Sequence, residues 1–315
     1  MIMQTSWRPA IVALAFCVVA ASAHSAAATA QTRTNYVCRN EAGAFNAFKA
    51  QAEEFDPQYV PPPGVVALSH RTTDGKTLLG YMAKAKSAAG PAVEPRGYLL
   101  VLPGNGVIAQ QLISLIEDIA ALGYDVYVYD YRGYGRSDGP STVLGIVADT
   151  KELIAKLGNP AANGGRGYAT HIVYGISAGA AIAFNALDAT SNVDRLIIDG
   201  VPATMSVNIR VRWNWLRFPY LSCPAEFGPL NRNLFIARRT LLIKGDQDVI
   251  LKNTQHDDDQ ERLLTKMKAA GVCVSVQPAF NHPLMDGYTG RRIEMIGDFL
   301  KADLAKGCPA LPVFR

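Results

Sequence analysis

The stretch His171-Ile172-Val173-Tyr174-Gly175-Ile176-Ser177-Ala178-Gly179 carries more information than any other in the chain. It opens as a short apolar strand, passes through G-x-S-x-G and runs on into small residues suited to a helix. In a strand–turn–helix of this kind the serine occupies a tight turn, with its hydroxyl pushed out of the sheet. Glycines at 175 and 179 remove side chains that would clash in that turn. The helix beginning there aims backbone N–H groups at negative charge developing nearby. Ser177 is therefore the candidate nucleophile, and the Ala178 N–H a candidate donor to an oxyanion. The competing reading is an ordinary strand-to-helix turn carrying an inert serine.

Working outward, the pattern is regular from Val65 on. Residues 65–71 and 76–83 flank Thr73-Asp74-Gly75 and read as a hairpin. Short apolar strands at 98–102, 125–129, 171–174, 196–198, 240–243 and 272–276 alternate with helical spacing near 108–119, 143–157, 175–187, 255–270 and 290–304. Strands this apolar, separated by helices, predict an α/β fold whose mostly parallel sheet is covered on both faces. With 49% hydrophobic residues in 315, there is enough apolar material for such a core. Residues 202–239 interrupt the rhythm and are longer than a usual connection. They hold Trp213, Trp215, Phe218 and Tyr220 together with Arg210, Arg212 and Arg217. This segment is expected to form a short cap over the C-terminal edge of the sheet, where ligands bind in open α/β sheets. Trp213, Trp215 and Phe218 would supply an apolar substrate wall there, and the competing reading is that they pack inside the cap.

A serine needs a base, normally histidine, and the base needs an acid to orient it. Five histidines are present. His24 lies near the N-terminus, His70 precedes the hairpin turn, His171 opens the strand at the end away from Ser177, and His256 stands before Asp257-Asp258-Asp259. His282, in Phe280-Asn281-His282-Pro283, follows the last strand and falls at the edge where Ser177 stands. It is the candidate base. Leu241-Leu242-Ile243-Lys244-Gly245-Asp246-Gln247-Asp248 is a strand ending in a loop with two carboxylates, and Asp248 is the first choice of acid. Asp246 and Asp199, which also ends a strand, are its alternatives. Pro103-Gly104-Asn105-Gly106 follows a strand and can aim the Asn105 backbone N–H at a reacting oxygen, alongside that of Ala178. The three acids before residue 260 suit a helix start rather than a metal.

Together these residues resemble the α/β-hydrolase superfamily. Asp130-Tyr131-Arg132-Gly133-Tyr134-Gly135-Arg136-Ser137 is similar to the segment after the fourth strand in many of its serine hydrolases. The resemblance spans about 65–304 and is nearest to single-domain serine hydrolases of the BEM46-like and ABHD type. It implies an eight-stranded sheet, no cofactor, and Asp248 rather than Asp246 as the acid. This chain has Pro103-Gly104 where many relatives have His-Gly, and Asn281 where glycine is frequent.

The remaining features set the context. Residues 1–30 hold one charge, Arg8, then an apolar run and small residues, the order of a secretory signal cleaved after Ala23 or Ala30. Residues 31–64 read as a peripheral segment, and 65–315 as the hydrolase domain. No apolar run reaches the length of a membrane span. Export to the periplasm or outside makes one or two disulfides plausible among Cys38, Cys223, Cys273 and Cys308, with three pairings open. A net charge of +4, with no long basic run, gives no sign of nucleic-acid binding. The expected activity is hydrolysis of a small carboxylic ester through an acyl-enzyme. An amide or peptide substrate is the alternative, and a secreted binding protein on an inactive hydrolase fold the rival of another class. A peptidase that reads a free amine needs a carboxylate beside Ser177, and Glu226 is the candidate.

Overall fold

The computed structural model describes residues 38, 39, 41, 56–188, 190–210, 217–231 and 239–314, with the backbone alone at 207–210 and 217–220. The proposed signal and the aromatic residues Trp213 and Trp215 lie outside the described residues, as does the side chain of Phe218.

Strands β1 (Val65–Arg71) and β2 (Thr77–Ala83) form the expected antiparallel hairpin. It is joined by β3 (Tyr98–Leu102), β4 (Asp125–Tyr129), β5 (His171–Ile176), β6 (Arg195–Asp199), β9 (Thr240–Gly245) and β10 (Cys273–Gln277) in one eight-stranded sheet, ordered β1-β2-β4-β3-β5-β6-β9-β10. Every pairing from β4 to β10 is parallel, and β2 meets β4 antiparallel. Between β6 and β9, strands β7 (Val207–Arg210) and β8 (Arg217–Leu221) pair as a separate two-stranded sheet.

The continuous apolar runs are explained by burial on both faces. In β3, Tyr98, Leu100 and Leu102 belong to one core and Leu99 and Val101 to the other, the period of two that a pleated strand imposes. The first core is closed by helices α2 (Val143–Leu157), α3 (Ala178–Ala186) and α5 (Asp257–Ala269). The second is closed by α1 (Ile113–Ala120) and α6 (Thr289–Lys301). The chain runs from β3 to β4 on one side and then to β5 on the other. That reversal opens a crevice outside the carboxyl ends of the strands.

The helix expected at 255–270 is α5, and a further short helix that the pattern does not predict, α4 (Val249–Thr254), precedes it; extended Gln255 (φ −116°, ψ 158°) and His256 (φ −78°, ψ 134°) separate the two. The missed signal is Asp248, whose carboxylate accepts from the Leu251 N–H at 2.8 Å as an N-cap. Two disulfides are present, Cys38–Cys223 and Cys273–Cys308.

Candidate active site

Ser177 stands between β5 and α3 with φ 53° and ψ −119°. A left-handed conformation at a non-glycine residue costs about 1–3 kcal/mol and persists only where its surroundings impose it. The impositions are visible. The Ser177 N–H donates to Asp199 O at 2.8 Å, tying the turn to the end of β6. A methyl group on Gly175 would lie 2.5 Å from the Ala180 Cα, and one on Gly179 would lie 2.1 Å from Leu102 O. Neither space admits a side chain, which is the physical content of the glycines in G-x-S-x-G.

His282 follows β10 and is buried, as is Asp248 at the start of α4. The imidazole Nδ1 lies 3.0 and 2.9 Å from the two Asp248 carboxylate oxygens. Asp246 pairs instead with Lys244 at 3.7 Å. Asp199 receives the Tyr174 hydroxyl at 3.2 Å and has the Arg292 Nε 2.9 Å from its Oδ2. Burial pushes the Asp199 carboxyl up to about 6, against the pull of Arg292. Of the three carboxylates weighed from sequence, Asp248 is the one that meets His282.

Residues the sequence reading left without a role hold this loop in place. Asn281 Oδ1 accepts from the His282 N–H at 2.7 Å and the Val249 N–H at 3.1 Å, joining the loop of the imidazole to that of its acid. Glycine at 281 could not do this. Arg292, on α6, donates from Nη1 to Asp286 Oδ1 and from Nη2 to Asp286 Oδ2 at 3.1 Å, and its Nη2 also reaches Asn281 O at 2.9 Å. Only a planar guanidinium fork reaches carboxylate and carbonyl together in this way. Close behind His282, Leu284 has φ 68° and is partly exposed.

The turn after β3 approaches from the other side. A methyl group on Gly104 would lie 3.5 Å from the Ser177 Cβ. The 130–137 segment, quoted above for resemblance alone, fixes this turn through two tyrosines. The Tyr131 hydroxyl donates to Pro103 O at 2.9 Å, and the fully buried Tyr134 donates to Asn105 Oδ1. Asp130, at its head, accepts from the Ala109 N–H at 2.6 Å, and burial pushes its carboxyl up to about 7. The backbone N–H groups of Asn105 and Ala178 make no hydrogen bond among the described residues.

Ser177, Asn105, Ala178 and His282 line one cavity of about 520 Å³. No hydrogen bond joins the Ser177 hydroxyl to His282 Nε2 among the described residues; such contacts are often long before substrate binds. Ile146, Ile182, Met205, Leu221, Ile250 and Leu251 supply much of the wall, and no Asp, Glu, Lys or Arg is among the described lining residues. The segment 202–239 thus reaches the cavity through Pro202, Thr204, Met205 and Leu221. Glu226 lies in an exposed 3-10 turn, Ala225–Phe227, and does not line it. Among the described residues, no group of three or more His, Cys, Asp or Glu side chains is arranged to hold a metal ion.

A family model described as "Hydrolase_4: Serine aminopeptidase, S33" matches residues 93–214. No curated protein sequence matches the chain. Solved structures are similar across most of it. An esterase from Pyrococcus furiosus is 18% identical, covering 75% of this chain and 90% of its own, with a TM-score of 0.54. A serine hydrolase without a lid from Xanthomonas campestris is 18% identical, covering 82% and 100%, with a TM-score of 0.51. An α/β hydrolase from a Penicillium species is 13% identical, covering 76% and 99%, with a TM-score of 0.57. The protein has the α/β-hydrolase fold.

Proposed function

We propose that the protein is a serine hydrolase that cleaves uncharged carboxylic esters. One observation carries this reading: both Asp248 carboxylate oxygens lie within hydrogen-bond distance of His282 Nδ1, and His282 lines the same cavity as a strained Ser177. The Ser177 hydroxyl attacks the ester carbonyl carbon and its proton passes to His282 Nε2. Asp248 stabilises the imidazolium, and the Asn105 and Ala178 N–H groups hold the carbonyl oxygen as it becomes an oxyanion. Collapse breaks the bond to the alkoxy oxygen, which takes the proton from His282 and leaves as the alcohol. Water then repeats the sequence on the acyl-enzyme and restores the serine.

An aminopeptidase is the second reading, because the description of the matching family names that activity. The ester is favoured because no carboxylate is among the described lining residues, and Glu226 points the comparison no further. Within the fold, the BEM46-like and ABHD type is the group we favour, with 202–239 as the cap and the polypeptide exported behind a signal at 1–30. Two disulfides suit an oxidising compartment.

A fluorophosphonate probe tests the nucleophile. Wild-type protein is expected to be labelled and Ser177→Ala not; folded wild-type protein that resists labelling would point to a binding protein. A panel of p-nitrophenyl esters beside aminoacyl p-nitroanilides then separates esterase from aminopeptidase.

A further inference from the structure

The described polar side chains lining the cavity fall into three groups. Tyr131, Thr204, Thr254 and Gln255 turn their donors back onto the backbone. They reach Pro103 O at 2.9 Å, Ser206 O at 3.1 Å, Ile250 O at 2.7 Å and Ser206 O at 3.1 Å respectively. Ser177 and His282 are committed to the proposed chemistry. That leaves Asn105. Its Oδ1 is taken by the hydroxyl of Tyr134, a side chain with no solvent exposure, so the carboxamide cannot turn freely. Its Nδ2 has no acceptor among the described residues, yet the residue lines the cavity beside Ser177. An otherwise apolar wall therefore presents a fixed pair of N–H donors, close to where Asn105 also offers its own backbone N–H.

We infer that the Asn105 carboxamide is a third oxyanion donor, and that Tyr134 is the positioning residue that aims it. The inference rests on the hydrolase reading and adds to it a side-chain donor that can be removed without touching the backbone ones. A donor aimed where charge develops acts on the transition state more than on the bound ester, so its loss lowers kcat rather than raising KM.

The test uses p-nitrophenyl ester kinetics with fluorophosphonate labelling of the same preparations. Asn105→Ala keeps the backbone N–H and is expected to lose roughly 10²-fold in kcat, the scale of one oxyanion donor, with KM within about twofold. Asn105→Asp keeps the acceptor for Tyr134 while replacing the free donor, and kcat is expected to fall at least as far. Tyr134→Phe leaves the carboxamide in place but unpinned, and a smaller fall, roughly 3–10-fold in kcat, is expected. A melting temperature for each variant shows whether it is folded. If folded Asn105→Ala and Asn105→Asp keep wild-type kcat, or change KM alone, the third donor is overturned while Ser177-dependent labelling leaves the hydrolase reading standing. If folded wild-type protein is neither labelled nor active, both fail together.

Discussion

Two buried histidines sit at opposite ends of the same sheet. His171 opens β5 and His282 follows β10, and each is about equally hidden, at 7% exposure. Their surroundings differ in kind. His171 stacks on Tyr98 with ring centroids 5.1 Å apart, and both its nitrogens face backbone carbonyls, Asn192 O and Tyr168 O, each at 3.1 Å. Whichever nitrogen carries the proton, it has an acceptor. His282 has its Nδ1 within hydrogen-bond distance of a carboxylate, and its side chain makes no other hydrogen bond among the described residues; it lines the same cavity as Ser177. Burial alone does not mark a working histidine. Under the proposed chemistry the mark would be a division of labour between the two nitrogens, one oriented and one left free.

The sharpest way to break the comparison is to make the same change at both ends. His282→Gln is expected to lower kcat for an ester by about 10⁴-fold or more with little change in melting temperature. His171→Gln is expected to lower the melting temperature and leave kcat within about threefold. Steady-state kinetics and thermal unfolding of the two variants decide this; equal losses of activity would erase the distinction. Next in size is the acid. Asp248→Asn keeps an acceptor for the Leu251 N–H, so α4 stays capped, but it can no longer hold the imidazole in its working tautomer. The expected loss in kcat is about 10³–10⁴-fold. Asp246→Asn, altering a side chain that pairs with Lys244, is expected to leave kcat within about twofold.

How much of this was legible in the sequence follows from which interactions are local. The strands were, because burial on both faces forces runs such as Leu99-Leu100-Val101, and so was the G-x-S-x-G turn, in part because a methyl group on Gly175 would lie 2.5 Å from the Cα of Ala180, five residues on. Spacing alone did not separate Asp199, Asp246 and Asp248; the loop pattern and the family resemblance put Asp248 first. All three stand at the same strand ends, and what separates them is a side-chain direction that no spacing records. Asn281 and Arg292 were missed for a related reason. Each joins segments distant in sequence: Asn281 reaches Val249, and Arg292, which also holds Asn281 and Asp286 nearby, reaches Asp199. Helix α4 was missed because Asp248 was read only as an acid, although it is also an N-cap. Trp213, Trp215 and Phe218, expected to wall the substrate, lie where no side chain is described. Met205 and Leu221 are the apolar residues of that segment found on the cavity.

The end of the sheet away from the cavity offers a stability change that should spare activity. Cys273 opens β10 and is bonded to Cys308, closing a loop with a sequence separation of 35. Loop-closure entropy puts the loss on removing such a bridge at about 3–4 kcal/mol. Denaturant unfolding of the double Cys273→Ser, Cys308→Ser variant is expected to show it, with kcat at a temperature where both forms are folded unchanged. A fall in kcat there would mean that the two ends of the sheet are coupled.

A last effect, spread over several pH units, concerns pH and sits at the cavity end. Asp130 is pushed up by burial from 3.8 to about 7. A carboxyl whose pKa is higher folded than unfolded holds its proton better in the folded state, so its contribution favours folding at low pH. That contribution fades as pH rises from about 4 to about 7, because the folded protein then carries a buried charge that the unfolded chain would solvate. The slope from one such group is at most about 1.4 kcal/mol per pH unit. Asp199, pushed up to about 6, acts in the same direction, so the wild-type slope alone does not isolate Asp130. Asp130→Asn does. It keeps an acceptor for the Ala109 N–H and removes the titration, so its melting temperature relative to wild type is expected to rise steadily between pH 4 and pH 7. A difference that stays flat across that range would mean that the Asp130 carboxylate is stabilised as well in the folded protein as in water, and that the turn it supports tolerates a charge.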